Sequence, residues 1–275
     1  MPSPSKPDFA TLGGIVLAIG GVAGGLLLEG GRLQDIAQIT SALIVFGGTI
    51  GAVMITTPLS VLIRAARQLG NVFFSRPESV SERIEDIVRF AIRARRTGIV
   101  SLEAEAALIE DPFLRKALEL AVDGVEPAKI RDILEFEIGL FEQDADAEAK
   151  VFEAAGGYAP TIGIVGAVLG LIQVMKNLAN VDEVGRGIAV AFVATIYGVA
   201  SANLFFLPAA GKLKARTQEL VRVRELTVEG ILGVATGVNH RLIRSKLEAF
   251  LEKNTPAKKT PQSPAATVEP AAADA

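Results

Sequence analysis

The apolar residues of this chain are concentrated in four long stretches, at residues 10–28, 36–57, 157–178 and 187–207. Each stretch is about as long as the ~20 apolar residues with which a helix crosses the ~30 Å hydrocarbon core of a bilayer. The pattern therefore predicts four transmembrane helices and an integral membrane protein. The first stretch follows Lys6 as a signal peptide would, but it is too long for one and a second stretch follows directly, so we expect it to be retained.

The four stretches form two pairs, each closed by a short polar link. Residues 29–34 and 180–186 leave room only for tight turns, so we expect two transmembrane hairpins, at residues 1–58 and 157–208. Of the 28 Lys and Arg residues, 25 lie in the N-terminus, the middle segment and the C-terminus. The other three lie at or near the links and are Arg32, Lys176 and Arg186. The positive-inside rule then predicts a multi-pass protein with both termini and the middle segment in the cytoplasm.

Between the hairpins, residues 59–156 have the pattern of amphipathic helices. Apolar residues recur at helical spacing from Val80 to Ala91, with Ser79 or Ser81 as the candidate cap and Thr97-Gly98 as a stop after them. Further helices are predicted from Ser101 to about Glu110, from Asp111-Pro112 through Leu120, and from Pro127 toward the membrane. This segment is therefore a predicted cytoplasmic helical domain.

Helical periodicity with Lys and Arg on one side returns from Lys212 to about Leu251, within a predicted cytoplasmic helical extension at residues 209–253. Residues 254–275 consist mostly of Pro, Ala, Thr and Lys, which predicts a disordered tail. Together these elements predict an all-α integral membrane protein, with four transmembrane helices in two hairpins and a helical cytoplasmic domain.

Composition narrows the chemistry that we expect. The chain has no cysteine and a single histidine, His240, which argues against thiolate metal sites and histidine clusters. The spans contain no Ser–His pair, no acid pair, no metal-ligand set and no Gly-rich phosphate loop. A net charge of −3 gives no indication of nucleic-acid binding. We therefore expect neither an enzyme nor a cofactor.

The apolar stretches contain no Asp or Glu at all. A membrane protein that moves cations by itself usually needs an ionisable group at mid-depth, because buried acids carry the charge. If this chain takes part in cation transport, a partner must supply the acid.

Small residues form stripes on the third and fourth spans. Gly163, Gly166, Ala167 and Gly170 lie on the third, and the fourth has Ala191, Thr195, Gly198 and Ala202 at helical spacing. Such stripes let another helix approach the backbone closely, either a central partner or the chain's own neighbouring helix. The hydroxyl of Thr195, near mid-span, can bond back to the carbonyl four residues earlier or face a water-containing path. The spacing alone leaves both alternatives open.

Several motifs resemble those of the MotA/PomA family of flagellar motor stator proteins, over nearly the whole chain up to about residue 250. They are APTIGIVGAVLGL at 159–171, ATIYG at 194–198 with NLFFLP at 203–208, ARRTGIVSLE at 94–103 and AVDG at 121–124. The resemblance implies a bacterial inner-membrane protein for motility, a pentamer surrounding two copies of a MotB-like subunit whose transmembrane aspartate carries the ion. It also implies that ion flow turns this ring and that the cytoplasmic domain passes torque to the rotor protein FliG.

The resemblance also suggests roles for individual residues. Thr195 resembles a pore-facing threonine, and Ala167 occupies a position where sodium-driven members have a second threonine, which favours protons over sodium as the transported ion. Pro160 and Pro208 resemble the family's prolines for conformational coupling. Further expected sites are the rotor contacts Arg95, Arg96 and Glu103, and the glycines that pack around the partner, Gly163, Gly166, Gly170 and Gly198. Some members have a second acid directly after the first, whereas this chain has Ala104 and then Glu105.

Two other functions fit parts of the pattern. The TolQ/ExbB branch also forms ion-driven motors, which energise the cell envelope, but it typically has three spans that begin outside. A membrane scaffold that conducts nothing would show the same small-residue stripes. Ion flux and dependence of motility on the chain separate these alternatives from a stator.

Overall fold

The computed structural model describes residues 6–75 and 79–252, which fold almost entirely into helices. The predicted disordered tail at residues 254–275 lies outside the described residues. A two-residue antiparallel pairing joins β1 (Lys6–Pro7) to β2 (Phe74–Ser75). The helices are α1 (Phe9–Leu28), α2 (Leu33–Ile36), α3 (Ile39–Ala42), α4 (Gly48–Thr56), α5 (Leu59–Phe73), α6 (Val80–Thr97), α7 (Glu103–Ala106), α8 (Pro112–Val122), α9 (Pro127–Lys176), α10 (Val181–Ser201), α11 (Leu207–Ala235) and α12 (His240–Glu252).

Four helices are long and apolar enough to cross a membrane, which confirms the predicted number of spans. The first is α1, and the second is the continuous helix Ile39–Thr56, in which a π-helical turn at Leu43–Gly47 joins α3 to α4. The third and fourth lie within helices of 50 and 55 residues, Pro127–Lys176 and Val181–Ala235. At ~1.5 Å per residue these two helices are each more than ~70 Å long, so both continue well beyond the membrane. Outside it they join α6, α8 and α12 in a second packed unit, which we call the extramembrane domain.

Local capping chemistry sets the helix boundaries in that domain. The Ser79 hydroxyl accepts a bond from the Glu82 N–H at the start of α6, and the Asp111 carboxylate does the same for Phe113 before α8. Gly98, at φ 86°, ends α6 in a left-handed conformation that favours glycine. These three boundaries agree with those predicted from the sequence.

Two stretches fold differently from the periodic pattern. The predicted helix from Ser101 to Glu110 is a 3₁₀ turn, Ile99–Leu102, followed by the single turn α7. The Ser101 hydroxyl donates to the Gly98 carbonyl at 2.7 Å, so it closes a local turn in place of a regular helix start.

The stretch from Lys212 to Leu251 is not one continuous helix, because the helix ends at Ala235 and Gly237 has φ 67°. The N–H groups of Gly237 and Val238 donate to the carbonyls of Val234 and Gly233, respectively. These bonds form a glycine C-cap, after which the chain reverses and α12 packs against α11.

The core of the extramembrane domain lies among α6, α8, the first third of α9, the last part of α11, and α12. Its completely buried side chains include Ile87, Leu118, Ile130, Leu226 and Ile231. Gly230 allows α11 to approach α6, because a Cβ there would lie 2.7 Å from the Ile87 side chain. A two-pronged ion pair between Arg244 and Glu85 joins α12 to α6 at the surface, and it lowers the pKa of Glu85.

Within the membrane region, α9 and α10 pack closely along small residues. A Cβ on Gly198 would lie 2.5 Å from the Ala159 carbonyl oxygen, and a Cβ on Gly170 would lie 2.8 Å from the Ala191 nitrogen. Burial of apolar surface from water drives helix packing in soluble proteins but not in lipid. There, close backbone contact of this kind stabilises the pair by van der Waals attraction. The α9–α10 pair is thus the packed centre of the spans.

The second span packs onto this pair through glycine and polar bonds. A Cβ on Gly48 would lie 2.8 Å from Ile162 of α9. The Ser41 hydroxyl donates to the Val190 carbonyl at 3.2 Å. Tyr197 of α10 donates to the Ile36 carbonyl and accepts from the Gln38 N–H, and so fixes the turn before the second span.

The first span differs, because none of its residues is buried within the chain. It is attached at its N-terminal end by Asp8, which caps α1 and forms ion pairs with Lys212 at 2.5 Å and Arg216 at 3.1 Å. The bond from Lys212, together with that from the Thr11 N–H, holds the pKa of the Asp8 carboxyl well below its usual range. We refer to Asp8, Lys212 and Arg216 as the N-terminal clasp.

We expect Gly198→Ala to loosen the α9–α10 pair, because the added methyl group meets the Ala159 carbonyl. Overpacking of this kind costs about 1–3 kcal/mol. Gly157→Ala is the matched control, because nothing lies within 4 Å of the position a Cβ would take on that glycine of α9. Thermal unfolding of the two variants in detergent measures the difference. Equal melting temperatures for both would contradict the close-packed pair.

We expect Asp8→Asn to destabilise the attachment of α1 at neutral pH, because asparagine keeps the cap but loses both ion pairs. Each ~1 kcal/mol lost corresponds to about 2–4 °C in melting temperature. Because the folded pKa of Asp8 is depressed, its contribution is complete above the usual value of 3.8 and is lost as the pH falls toward the folded value. The difference in melting temperature between the natural chain and Asp8→Asn should therefore be smaller at pH 3 than at pH 7. A difference of the same size at both pH values would refute the clasp.

Candidate functional site

Thr195 and Ala167, the two residues expected along an ion path, lie at neighbouring levels of the α9–α10 pair. A Cβ on Gly163 would lie 3.5 Å from the Cα of Thr195, and one on Gly166 would contact Ala194 at 2.7 Å. Ala167 directly follows Gly166, so it lies within about one turn of Thr195. Both side chains are half-buried.

The Thr195 hydroxyl donates to the Ala191 carbonyl at 3.1 Å. This is the bond to the carbonyl four residues earlier, one of the two alternatives that the sequence left open. This bond uses the hydroxyl proton and leaves the oxygen free to accept. In the isolated chain, Thr195 can therefore offer an acceptor to a water molecule or an ion. It offers no donor unless the local bond opens.

The four glycines expected to pack around a partner contact the neighbouring span of their own chain. Gly163, Gly166 and Gly170 on α9 meet Ala194, Gly198, Gly187 and Ala191 on α10, and Gly198 meets Ala159 and Gly163. The spacing had left this alternative open. The helices α9 and α10 are antiparallel and consecutive in sequence, so the two stripes face each other within one chain. A central partner would therefore contact other parts of this helix pair.

Pro160 and Pro208 lie in the two long helices that carry the third and fourth spans. Pro160 lies inside α9 and its Cα is 3.2 Å from the position a Cβ would take on Gly198. Pro208 follows a π-helical turn, Ala202–Phe206, that joins α10 to α11. Proline lacks an N–H and crowds the carbonyl four residues earlier, and the wider turn before Pro208 accommodates that crowding. Sequence reasoning missed this π turn, a type of irregularity that is frequent at functional sites.

The last two acids that precede the third span on α9, Glu148 and Glu153, both form ion pairs. Glu148 is 7% exposed and its carboxylate pairs with Arg64 of α5 at 3.1 Å. Lys214 of α11 pairs with Glu153 at 2.8 Å. These pairs hold α5 and α11 to α9 where the helices leave the apolar region, so neither acid is a free ion carrier.

The expected rotor contacts Arg95, Arg96 and Glu103 are all exposed, on either side of the turn at Gly98. Leu102, which is completely buried, anchors this turn to the domain core. The Thr97 and Ser101 hydroxyls bond to each other at 2.7 Å across the turn. We call the surface formed by residues 95–108 the charged tip.

The structure adds two apolar residues to the charged tip that sequence reasoning missed. Val100 is 66% exposed and Leu108 is 82% exposed, although both belong to the extramembrane domain. Glu105, by contrast, turns toward α6 and forms an ion pair with Arg93, and its Oε2 is buried. Glu105 therefore positions α7 and does not replace the second exposed acid found in some related proteins.

Comparison with known proteins gives a family for this architecture. Residues 105–226 match the model of the MotA/TolQ/ExbB proton channel family, and residues 12–91 match the model of the motility protein A N-terminal region. Motility protein A of Bacillus subtilis is 37% identical over 246 residues, which cover 89% of this chain and 91% of that protein.

Two solved structures share the fold. MotAB from C. jejuni has a TM-score of 0.86 at 35% identity, covering 90% of this chain and 98% of that one. The flagellar MotAB stator complex of Bacillus subtilis has a TM-score of 0.83 at 36% identity, covering 89% and 96%. These findings confirm the resemblance that the motifs indicated. The chain belongs to the MotA/TolQ/ExbB proton channel family, in its motility protein A branch.

Proposed function

We propose that this chain is the stator subunit of a bacterial flagellar motor, which forms a proton channel with a MotB-like partner and converts ion flow into torque on the rotor. The observation that carries this proposal is the four-span fold shared over about 90% of the chain with MotAB stator structures. The lack of any acid in the apolar stretches supports it, because the channel then depends on a second protein.

The partner supplies the missing transmembrane aspartate. In the proposed complex, five copies of this chain surround two copies of the MotB-like subunit. Supporting this arrangement, large apolar side chains of α9 and α10 remain exposed after the two helices have packed together, Ile164, Val168, Phe192 and Ile196 among them. They provide faces for neighbouring copies, the partner and lipid.

The transported ion is a proton, with sodium the less favoured alternative. A sodium ion requires several oxygen ligands in place of its water shell. Ala167 contributes no oxygen beside Thr195, and the Thr195 hydroxyl contributes one acceptor. No cofactor takes part, and the protein is not an enzyme.

Torque passes along α9 and the α10–α11 helix, which run without interruption from the spans to the extramembrane domain. The charged tip contacts the rotor protein FliG through Arg95, Arg96 and Glu103, while Val100 and Leu108 add apolar contact. Exposed charges suit an interaction that forms and breaks repeatedly, because complementary charge accelerates association more than it tightens binding. Pro160 and Pro208, with the π turn, are the positions where the helix pair changes shape as ions pass.

The chain lies in the bacterial inner membrane, with both termini and the extramembrane domain in the cytoplasm. The distribution of Lys and Arg supports this orientation. The envelope motors of the same family are the alternative function. The match of residues 12–91 to the motility protein A N-terminal region favours the flagellar motor.

Swimming speed tests the proposal in cells whose only stator genes are this one and its partner. We expect speed to be independent of external sodium at fixed pH and to collapse when a protonophore is added, because Ala167 leaves the path short of sodium ligands. A speed that follows sodium would overturn the ion assignment. Motility that does not depend on the gene would overturn the stator function.

Charge reversal tests the rotor contact. We expect Arg95→Glu or Glu103→Lys to reduce torque, measured from the rotation of tethered cells, while the amount of assembled stator complex in membranes stays unchanged. Glu119→Lys is the control, because Glu119 is exposed on α8 and outside the charged tip. A reduced amount of complex in the Arg95 or Glu103 variants would show a structural role instead.

A further inference from the structure

The extramembrane part of α9 carries an apolar stripe that the described residues, 6–75 and 79–252, leave exposed. Ile133, Phe136 and Leu140 lie at i, i+3 and i+7 and are 38%, 69% and 48% exposed. Leu140 precedes the apolar stretch at residue 157 by about 25 Å of helix, so the stripe is too far from the bilayer for lipid to cover it. Exposed apolar patches of this kind on a water-facing domain mark interaction surfaces.

A cavity of about 360 Å³ lies on another side of the same domain, where the start of α9 meets α11 and α12. Its walls are largely apolar and include Ala128, Leu232, Val238, Leu242 and Leu247. Its polar groups are already engaged, because Arg131 and Lys246 both pair with Glu229. The cavity therefore suits an apolar side chain better than a small polar ligand, which would need free groups to orient it.

The stripe and the cavity face in opposite directions. The cavity residues of α9 are Pro127, Ala128 and Arg131, which lie roughly half a turn around the helix from Ile133, Phe136 and Leu140. A chain cannot place its own stripe in its own cavity, but a second copy can. Ile133 follows Arg131 by two residues, so both surfaces lie at nearly the same height, as rotation about an axis normal to the membrane requires.

The charges beside the two surfaces are complementary. Asp132 adjoins the stripe, and Arg241 directly precedes Leu242, a 65% exposed wall residue of the cavity. Among the residues that the structure describes, neither Asp132 nor Arg241 has an ion-pair partner within the chain. Opposite charges at matching edges favour one copy as the neighbour of the next.

We propose that the apolar stripe of one copy packs against the cavity and α12 of the next copy, with Phe136 entering the cavity. The contact is heterologous, so each copy offers one surface to each of two neighbours, and the chain of contacts closes into a ring. This inference rests on the proposed function, in which several copies surround a partner. It assigns the extramembrane surfaces through which those copies meet.

Disulfide trapping tests the contact in membranes that hold the full chain and its partner. The natural chain has no cysteine, so every cross-link between two copies of it comes from the introduced residues. Phe136→Cys combined with Leu242→Cys should give a ladder of covalent oligomers on mild oxidation. The ladder should exceed by about tenfold that of the control pair Phe136→Cys with Val100→Cys, since only neighbouring thiols share a high effective concentration. Mixing the two single variants should give dimers but no ladder.

Three results would overturn the proposed contact. Strong cross-linking by Phe136→Cys alone would indicate a two-fold contact between identical stripes. A missing ladder in a complex whose native mass shows several copies would place the contact elsewhere and leave the stator function intact. A native mass with a single copy would refute the ring itself and the proposed function with it.

Charge exchange provides a second readout that needs no cysteine. Asp132→Arg and Arg241→Asp should each lower the temperature at which the detergent-solubilised complex loses copies. The double variant should restore that temperature, because the charges are then exchanged across the contact. Failure of the double variant to recover beyond the single variants would contradict the pairing.

Discussion

The close approach of α9 and α10 is the contact on which the rest of the structure depends. Lipid gives apolar helices little reason to associate, so attraction comes from backbones that glycine and alanine bring within van der Waals distance. Gly163, Gly170 and Gly198 provide that approach. The second span packs onto the pair through Gly48, and both long helices leave the membrane already aligned. A side chain on any of these three glycines would push apart the two helices that continue into the extramembrane domain.

The extramembrane domain is built on the ends of those two helices. Its core joins α9 and α11 to α6, α8 and α12, and Arg224 of α11 lies over the rings of Phe113 and Phe141, which ties α8 and α9 to α11. The ion pairs from Arg64 and Lys214 fix the helices where they leave the apolar region. In the proposed function, a change of shape at Pro160 or Pro208 would reach the charged tip through these packed helices.

The first span contrasts with this rigid centre. It contributes no buried residue and is attached through the N-terminal clasp, whose charges lie beside the end of the span. Its apolar surface is not covered by the described part of the chain. The same division recurs in the extramembrane domain, where one helix carries core residues on one side and an exposed stripe on the other. Neither surface is covered by the described residues of a single chain, which is what an assembly such as the proposed one would require.

The sequence by itself determined the four spans, the helix start at Asp111, the absence of an acid in the spans and the family motifs, and it narrowed the cap of α6 to Ser79 or Ser81. The spans depend on the apolar character of a single segment, and the caps depend on residues a few positions apart. The absent acid and the motifs are read directly from residue identities, so none of these features requires knowledge of distant contacts. Tertiary structure alone decided that the glycine stripes face each other, that Glu105 turns to Arg93, and that α12 folds back after Gly237. It also decided that the stripe at Phe136 and the cavity at Leu242 face opposite ways. Such features depend on which distant surfaces meet, and the period of a helix shows that a face exists without showing what covers it.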